Sequence, residues 1–266
     1  MKVVIWKRAN AHRDRVKAFM DFLKRKGHSC RLCIGKTPPP CDVAFVFNGL
    51  HVREKNIVKH LRDLGTQVFY MEVGSFPQRG HYVVGRNPCV AGGMLQGEEI
   101  PPVTPADELM MQTFFDKYSK GANMDLPREQ VSGFLQLERD YAIRSFSKFK
   151  RTQQVVNKVE ELYPDEKVVW KVHPGDRAPK IKVAHKLYRG GTIWIHVAMA
   201  KVCVAVNSTT LLESALAGRP VVALGDSPLN RPEGPRAVVR EILRRQISIR
   251  DKDPTEQIER SIGKVV

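Results

Sequence analysis

At 266 residues and 42% apolar content the chain is long enough for one large α/β domain or two smaller ones, and no unbroken apolar run is long enough to span a bilayer. The 44 Lys+Arg against 28 Asp+Glu give a net charge of +16, and residues 1–64 alone carry 15 basic against 5 acidic side chains. Such a field draws in polyanions, either nucleic acid or an anionic membrane surface. The amino terminus runs straight into an apolar strand without signal-peptide anatomy, and the five cysteines are odd in number and scattered, so a reducing cytoplasmic setting is expected. Cys30-x-x-Cys33 lacks a second Cys/His pair at zinc spacing, and Asp251-Lys-Asp253 lies in a charged tail, so neither is read as a metal site.

Lys2–Trp6 reads as a buried strand, and 11–26 as a helix whose inner face is Val16, Phe19, Met20 and Leu23. Arg13, Arg15, Lys17, Lys24 and Lys26 are assigned to its outer, basic face. Strands follow at Cys30–Ile34 and Val43–Phe47, joined by the stiff Pro38–Pro40 connector and leading to Asn48-Gly49. A helix over 52–64 and a strand over Gln67–Met71 come next. Residues 74–103, rich in Gly and Pro, read as a long surface loop around one short strand, His81–Val84, and such loops usually bind something. A helix over 105–119 and the Gly121–Pro127 connector end this half.

The alternation then restarts with a strand at Val131–Leu137, a helix at 149–162 and a strand at Val168–Val172 ending in His173-Pro174-Gly175-Asp176. After Lys182–Tyr188 and a short helix near 193–199, Val202–Gly225 forms a strand, a hydroxyl-rich turn, a helix and another strand. Helices at 235–246 and 254–262 close the chain, the last expected to pack across both halves. The pattern predicts two doubly wound, Rossmann-type domains, 1–126 and 127–250, facing each other across a cleft, with 251–266 as a helical tail.

Ligands of such sheets gather at the carboxyl ends of the strands. Asn207-Ser208-Thr209-Thr210 opens a helix at such an end, where free amides and the helix dipole favour a phosphate. Thr210-Leu-Leu-Glu213 also fits a capping box, in which these side chains merely start the helix. Lys171 alternates with apolar neighbours and can equally point to solvent; Gln136 and Asp140 can line a site or cap the next helix.

Three ordered segments, Gln136-x-x-x-Asp140, Lys171-x-His173-Pro174 and Asn207-Ser-Thr…Glu213…Gly218-x-Pro220-Val221, resemble those of the capsule-polysaccharide type of GT-B glycosyltransferase. In the first half Glu72-x-Gly-x-x-Pro77 is similar to the family's Glu-x-Gly-x-x-Pro, and Gly85-Arg86-Asn87 to the end of its Asp-x-x-Gly-x-Asn, although Tyr82 stands where the aspartate belongs. Phage-type DNA glycosyltransferases resemble the same scaffold in general architecture. The resemblance implies sugar transfer from a nucleotide donor, inverting and without an essential metal or other cofactor, with UDP-glucose the first candidate and a CMP-sugar the second. It places Lys171, His173, Arg177, Asn207, Ser208, Thr209, Thr210 and Glu213 at the donor, with fixed donors stabilising the leaving phosphate and Glu213 on the ribose. Glu72 is the expected general base, with Asp140 in reserve. Asn48, Arg79, His81, Arg86 and Asn87 are expected on the acceptor. The basic first half and its long loop favour duplex DNA with a flipped-out hydroxymethylcytosine or hydroxymethyluracil as acceptor. A capsule or other surface polysaccharide is the alternative, and a binding module without turnover the third reading.

Overall fold

The computed structural model describes residues 1–9, 12–76, 80–88, 90–176 and 181–264, the side chains of 90–92 excepted. The chain forms two compact α/β units, Met1–Glu98 with Ile242–Val266, and Glu99–Glu241.

The first unit is built on β1 (Lys2–Lys7), β2 (Ser29–Ile34), β3 (Val43–Phe47) and β4 (Gln67–Val73), all parallel, in spatial order β4-β3-β1-β2. β5 (His81–Gly85) adds antiparallel to β4. Helix α1 (Arg13–Arg25) presents Val16, Phe19, Phe22 and Leu23 to the sheet, and Phe19 meets Phe45 edge-on at 4.7 Å. Arg15 departs from its expected outer face: it is buried, and its Nε donates to the carbonyl of His81 at 2.8 Å. From β2 to β3 the chain crosses without a helix. The eight residues 35–42 reach about 26 Å when extended, more than the length of a five-residue strand, so the Pro-rich run suffices. α2 (Val52–Asp63) connects β3 to β4. Cys30 and Cys33, three apart on β2, fall on opposite faces of a strand, which separates the thiols.

In the second unit α3 (Pro105–Ser119), capped by Thr104 and Asp107, precedes a wholly parallel sheet. Its strands are β6 (Gln130–Phe134), β7 (Val168–Lys171), β8 (Lys186–Tyr188), β9 (Ala200–Ala205) and β10 (Val221–Ala223), in the order β10-β9-β6-β7-β8. The helices are α4 (Tyr141–Phe146), α5 (Thr152–Leu162), α6 (Ile193–Ala198), α7 (Thr209–Leu216) and α8 (Pro235–Arg245). Val156, Val159, Val168, Trp170 and Val204 form its core. Gly133 is required there because a Cβ would lie 2.3 Å from the Trp170 ring on the neighbouring strand. Arg240, 1% exposed, ties α8 to the carbonyls of Pro101 and Pro102 at 2.7 and 2.8 Å and to Asp107 at 3.3 Å.

The chain re-enters the first unit within α8. β11 (Ile247–Ser248) pairs antiparallel with β5, and α9 (Thr255–Ile262) sends Ile258 and Ile262 into the first core. The Gln246 side chain bonds the amides of Ser75 and Phe76 at 2.7 Å, and Arg245 pairs with Glu98. The division expected at 1–126, 127–250 and 251–266 is therefore corrected: 99–126 belong with the second sheet, and 242–266 complete the first. The reason is packing, since Met111 and Phe115 of α3 are buried, Phe115 against Trp194, and α9 has its apolar stripe on the first sheet. Asp253 of the Asp-x-Asp segment pairs with Lys26 at 3.3 Å, while Asp251 accepts from the amide of Asp253 in a local turn.

Candidate functional site

In the first sheet the strand order reverses between β1 and β3, and a cavity of about 170 Å³ lies at their carboxyl ends. Lys7, His12, Asn48, His51, Glu54 and Glu72 are among its lining residues. Three described non-glycine residues have positive φ, and two of them, His12 at 55° and Asn48 at 70°, line this one cavity. Backbone strain of this sort is held where the surroundings over-determine it, commonly at functional sites. Asn48 keeps the conformation because its amide bonds the carbonyl of Met71 at 2.8 Å while its Oδ1 accepts from Leu50 at 3.2 Å. Gly49, at φ 84°, follows it; a Cβ there would sit 2.3 Å from the Tyr70 ring.

Glu72 is the penultimate residue of β4, which extends two residues past its expected end. Its Oε2 accepts from Asn48 Nδ2 at 3.0 Å and its Oε1 from the amide of Val73 at 2.8 Å. Burial raises the carboxyl to about 7, the two hydrogen bonds opposing and nearby Glu54 assisting. Glu54 is itself buried and bonds the amides of Leu50 and His51 at 3.0 Å, which closes the first turn of α2. The His12 ring stacks on Phe47 at 5.1 Å; burial first, then Arg15, lowers its pKa. Burial, then Arg13, does the same to Lys7. The cavity thus holds a carboxylate that titrates at about 7 beside two basic groups whose pKa values burial lowers.

The five expected acceptor residues separate. Asn48 is in the cavity. His81 begins β5 opposite the end of β4, on the Glu72 edge of the sheet. Arg86 and Asn87 follow the other end of β5, at the opposite edge, because the strand is antiparallel. Arg86 donates to the carbonyl of Ile262 at 2.7 Å and so fastens the end of α9. Arg79 and Pro77 lie outside the described residues. Tyr82, in the position of the family's aspartate, is a core residue against Phe19.

The second sheet reverses its order between β6 and β9, where the Gln136 side chain bonds both the side chain and the backbone N–H of Asn207. Gln136 Nε2 donates to Asn207 Oδ1 at 3.0 Å, and the Asn207 amide returns a bond to Gln136 Oε1 at 3.1 Å. Asn207 Nδ2 also holds the carbonyl of Ala142 at 3.1 Å. Ser208 is the cap of α7: its Oγ accepts from the amide of Thr210 at 3.2 Å and its carbonyl from Leu211 at 3.0 Å. The capping box centred on Thr210 is not formed, and the picture of a wholly open amide cluster is corrected as well, since the amides of Asn207 and Thr210 have partners inside the chain. Thr209 is the first helical residue. Glu213 receives the hydroxyls of Tyr118 and Thr210, and burial raises its carboxyl to about 7 against those two bonds.

His173 follows β7 at the same edge. Its Nδ1 accepts from the amide of Gly175 at 2.9 Å, so the neutral ring carries its proton on Nε2, which is available as a donor to a phosphate oxygen. Lys171 is buried and bonds the carbonyl of Val172 at 3.3 Å, which removes the solvent-facing reading. Asp140 is exposed and caps α4 by accepting from Ala142 at 2.9 Å. Arg177 lies outside the described residues. Sequence reasoning missed Tyr118, His12, Lys7 and Glu54. None belongs to a motif, and a left-handed histidine leaves no pattern that sequence reasoning reads.

Two Rossmann-type units with polar side chains gathered at their strand-order reversals define a GT-B-type fold. No protein-family model matches the chain, and no curated protein is significantly similar to it in sequence. Among solved structures, the β-Kdo 2,7-transferase of Thermosulfurimonas dismutans KpsC is similar with a TM-score of 0.63 at 12% identity, over 90% of this chain and 89% of that one. The β-Kdo 2,4-transferase of the same KpsC gives 0.59 at 14% identity, over 89% of each chain. At these identities the likeness is one of fold.

Proposed function

We propose that the protein is a glycosyltransferase that moves a sugar from a nucleotide donor to a hydroxyl of a surface-polysaccharide or related glycan. The observation that carries the reading is Glu72, a carboxylate at about 7 fixed by two hydrogen bonds in a cavity at the strand ends of the first sheet. A general base works best when its pKa is near the working pH. In this reading Glu72 takes the proton of the acceptor hydroxyl as that oxygen bonds to the anomeric carbon. The bond from the anomeric carbon to the phosphate oxygen breaks, with inversion, and the nucleotide leaves with the electron pair. His173 Nε2 and the Ser208–Thr209 start of α7 offset the charge that builds on the phosphate, and Glu213 accepts from the ribose. Lys171, buried beside His173 in sequence, adds positive charge to that edge.

The glycan acceptor is preferred to hydroxymethylated DNA because the two similar structures are named Kdo transferases. The placement of Arg86 supports the same preference: it holds a backbone carbonyl instead of offering its fork to a phosphate. The test is an incubation with UDP- and CMP-sugars, CMP-Kdo included, against a panel of glycan acceptors and hydroxymethylcytosine-containing DNA, followed by mass spectrometry. Added sugar mass on a glycan supports the proposal. Transfer to the DNA alone rejects the acceptor class, and no transfer or donor hydrolysis with any pair rejects the enzyme.

A further inference from the structure

The Glu213 carboxyl does not stand alone at the start of α7. Tyr118 reaches it from α3, 95 residues away in sequence, and donates its hydroxyl to Oε1, while Thr210 donates from one turn back on α7. Tyr118 is itself held by rings: Trp194 of α6 lies edge-on at 5.5 Å and Phe114 at 5.9 Å. Trp194 in turn packs edge-on to Phe115 at 5.5 Å. A carboxylate offers about four lone-pair positions. Two taken by Tyr118 and Thr210 leave two, the number that a vicinal diol requires.

We propose that Tyr118 is a positioning residue of the nucleoside site, holding the Glu213 carboxylate ionised and in one orientation so that its remaining lone pairs accept both ribose hydroxyls. The proposal rests on the donor reading given above and names a residue that the sequence motifs do not contain. Both hydroxyl bonds favour the charged carboxylate against burial, so removing one leaves Glu213 protonated to higher pH, where it no longer accepts from the diol. Burial and the charge of Glu213 raise the phenol of Tyr118 well above its ordinary value, so it remains a donor throughout the range in which Glu213 titrates. Of the other charged groups at these elements, Arg236 of α8 holds the carbonyls of Ala215 and Leu216 at the far end of α7 and pairs with Glu108 of α3, and Asp116 of α3 accepts from Gln112 at 2.7 Å.

Calorimetry decides the matter with UDP, CMP and their 2′,3′-dideoxy analogues, titrated from pH 6.5 to 9 into wild type, Tyr118→Phe and Glu213→Gln. Phenylalanine keeps the ring packing, so folding is preserved. Wild type is expected to prefer the ribonucleotide. Tyr118→Phe is expected to bind it about tenfold more weakly at pH 7, to bind the dideoxy analogue as wild type does, and to recover ribonucleotide affinity as pH rises to 9. Glu213→Gln lowers the preference for the diol at every pH. Equal affinity of Tyr118→Phe and wild type at all pH values overturns the proposal. So does tighter binding, which makes Tyr118 a competitor of the ribose, or an equal loss for both nucleotide types, which makes its role merely architectural. If wild type binds neither nucleotide, the donor reading itself falls, a result distinct from nucleotide binding that ignores Tyr118.

Discussion

Glu72→Gln should make the first unit more stable at alkaline pH while abolishing turnover. In the fold the carboxyl titrates at about 7, against 4.5 when solvated. The native state therefore binds the proton more tightly than the unfolded chain, and its stability falls as pH rises from 4.5 through 7. At about 1.36 kcal/mol per pKa unit this difference corresponds to roughly 3 kcal/mol, fully lost above pH 8. Glutamine cannot ionise and escapes the loss. It sacrifices one hydrogen bond, because its NH2 group must face either Asn48 Nδ2 or the Val73 amide, both donors, at a cost of about 1 kcal/mol. At pH 5 the variant and wild type should thus differ by no more than about 1 kcal/mol, whereas at pH 8.5 the variant should be ahead by roughly 2 kcal/mol. Hydrogen exchange of the β4 amides, corrected for the intrinsic effect of pH, reads the opening free energy of this unit without requiring the whole chain to unfold in one step. A stability difference that stays constant between pH 5 and 8.5 refutes the environment assigned to Glu72, and full activity of the variant refutes its role as base.

Asn48→Ala removes a bond that holds the Glu72 carboxyl down, so the rising limb of kcat against pH, near 7 in wild type, should move to higher pH; an unmoved limb separates Asn48 from the base. His173→Ala should weaken nucleotide binding about tenfold by calorimetry if Nε2 donates to phosphate, and unchanged affinity removes it from the donor site. Gly133→Ala should destabilise the second unit by about 2 kcal/mol or more through the Trp170 ring, measured as a lowered denaturation midpoint; a neutral result means that the two strands separate more easily than their packing indicates.

Most of this architecture is written in local periodicity, and what is not local is what the sequence conceals. Helix α3 has its expected limits of 105–119 because Thr104, Pro105 and Asp107 mark its start and its apolar positions recur at helical spacing. β11 and α4 are not legible, because two residues carry no period and six carry too little of one. The unit boundary differs for another reason: the Gly121–Pro127 connector does precede the second sheet, but α3 lies before it and still packs with that sheet. At the candidate site, Ser208, Glu213 and His173 were legible through their motif order, and Glu72 through its place at a strand end. Tyr118 was not, since its hydrogen bond to Glu213 spans 95 residues.

Net charge alone does not specify an acceptor, and the first unit shows why. Arg15, Arg25, Arg53 and Arg86 direct guanidinium N–H groups to the carbonyls of His81, Lys252, Gly35 and Ile262. Lys17, Lys26 and Lys59 pair with Asp21, Asp253 and Asp63. A carbonyl neutralises nothing, so the long-range field of these arginines persists and still draws in polyanions at low salt. Each, however, already commits an N–H to a backbone carbonyl, and turning that group toward a phosphate leaves the carbonyl without this partner. DNA held by such a surface should bind with a steep dependence on salt and without preference for hydroxymethylated over plain duplex. A duplex preference that survives at physiological salt would show that base-reading groups exist beyond these committed arginines, and would restore the DNA acceptor.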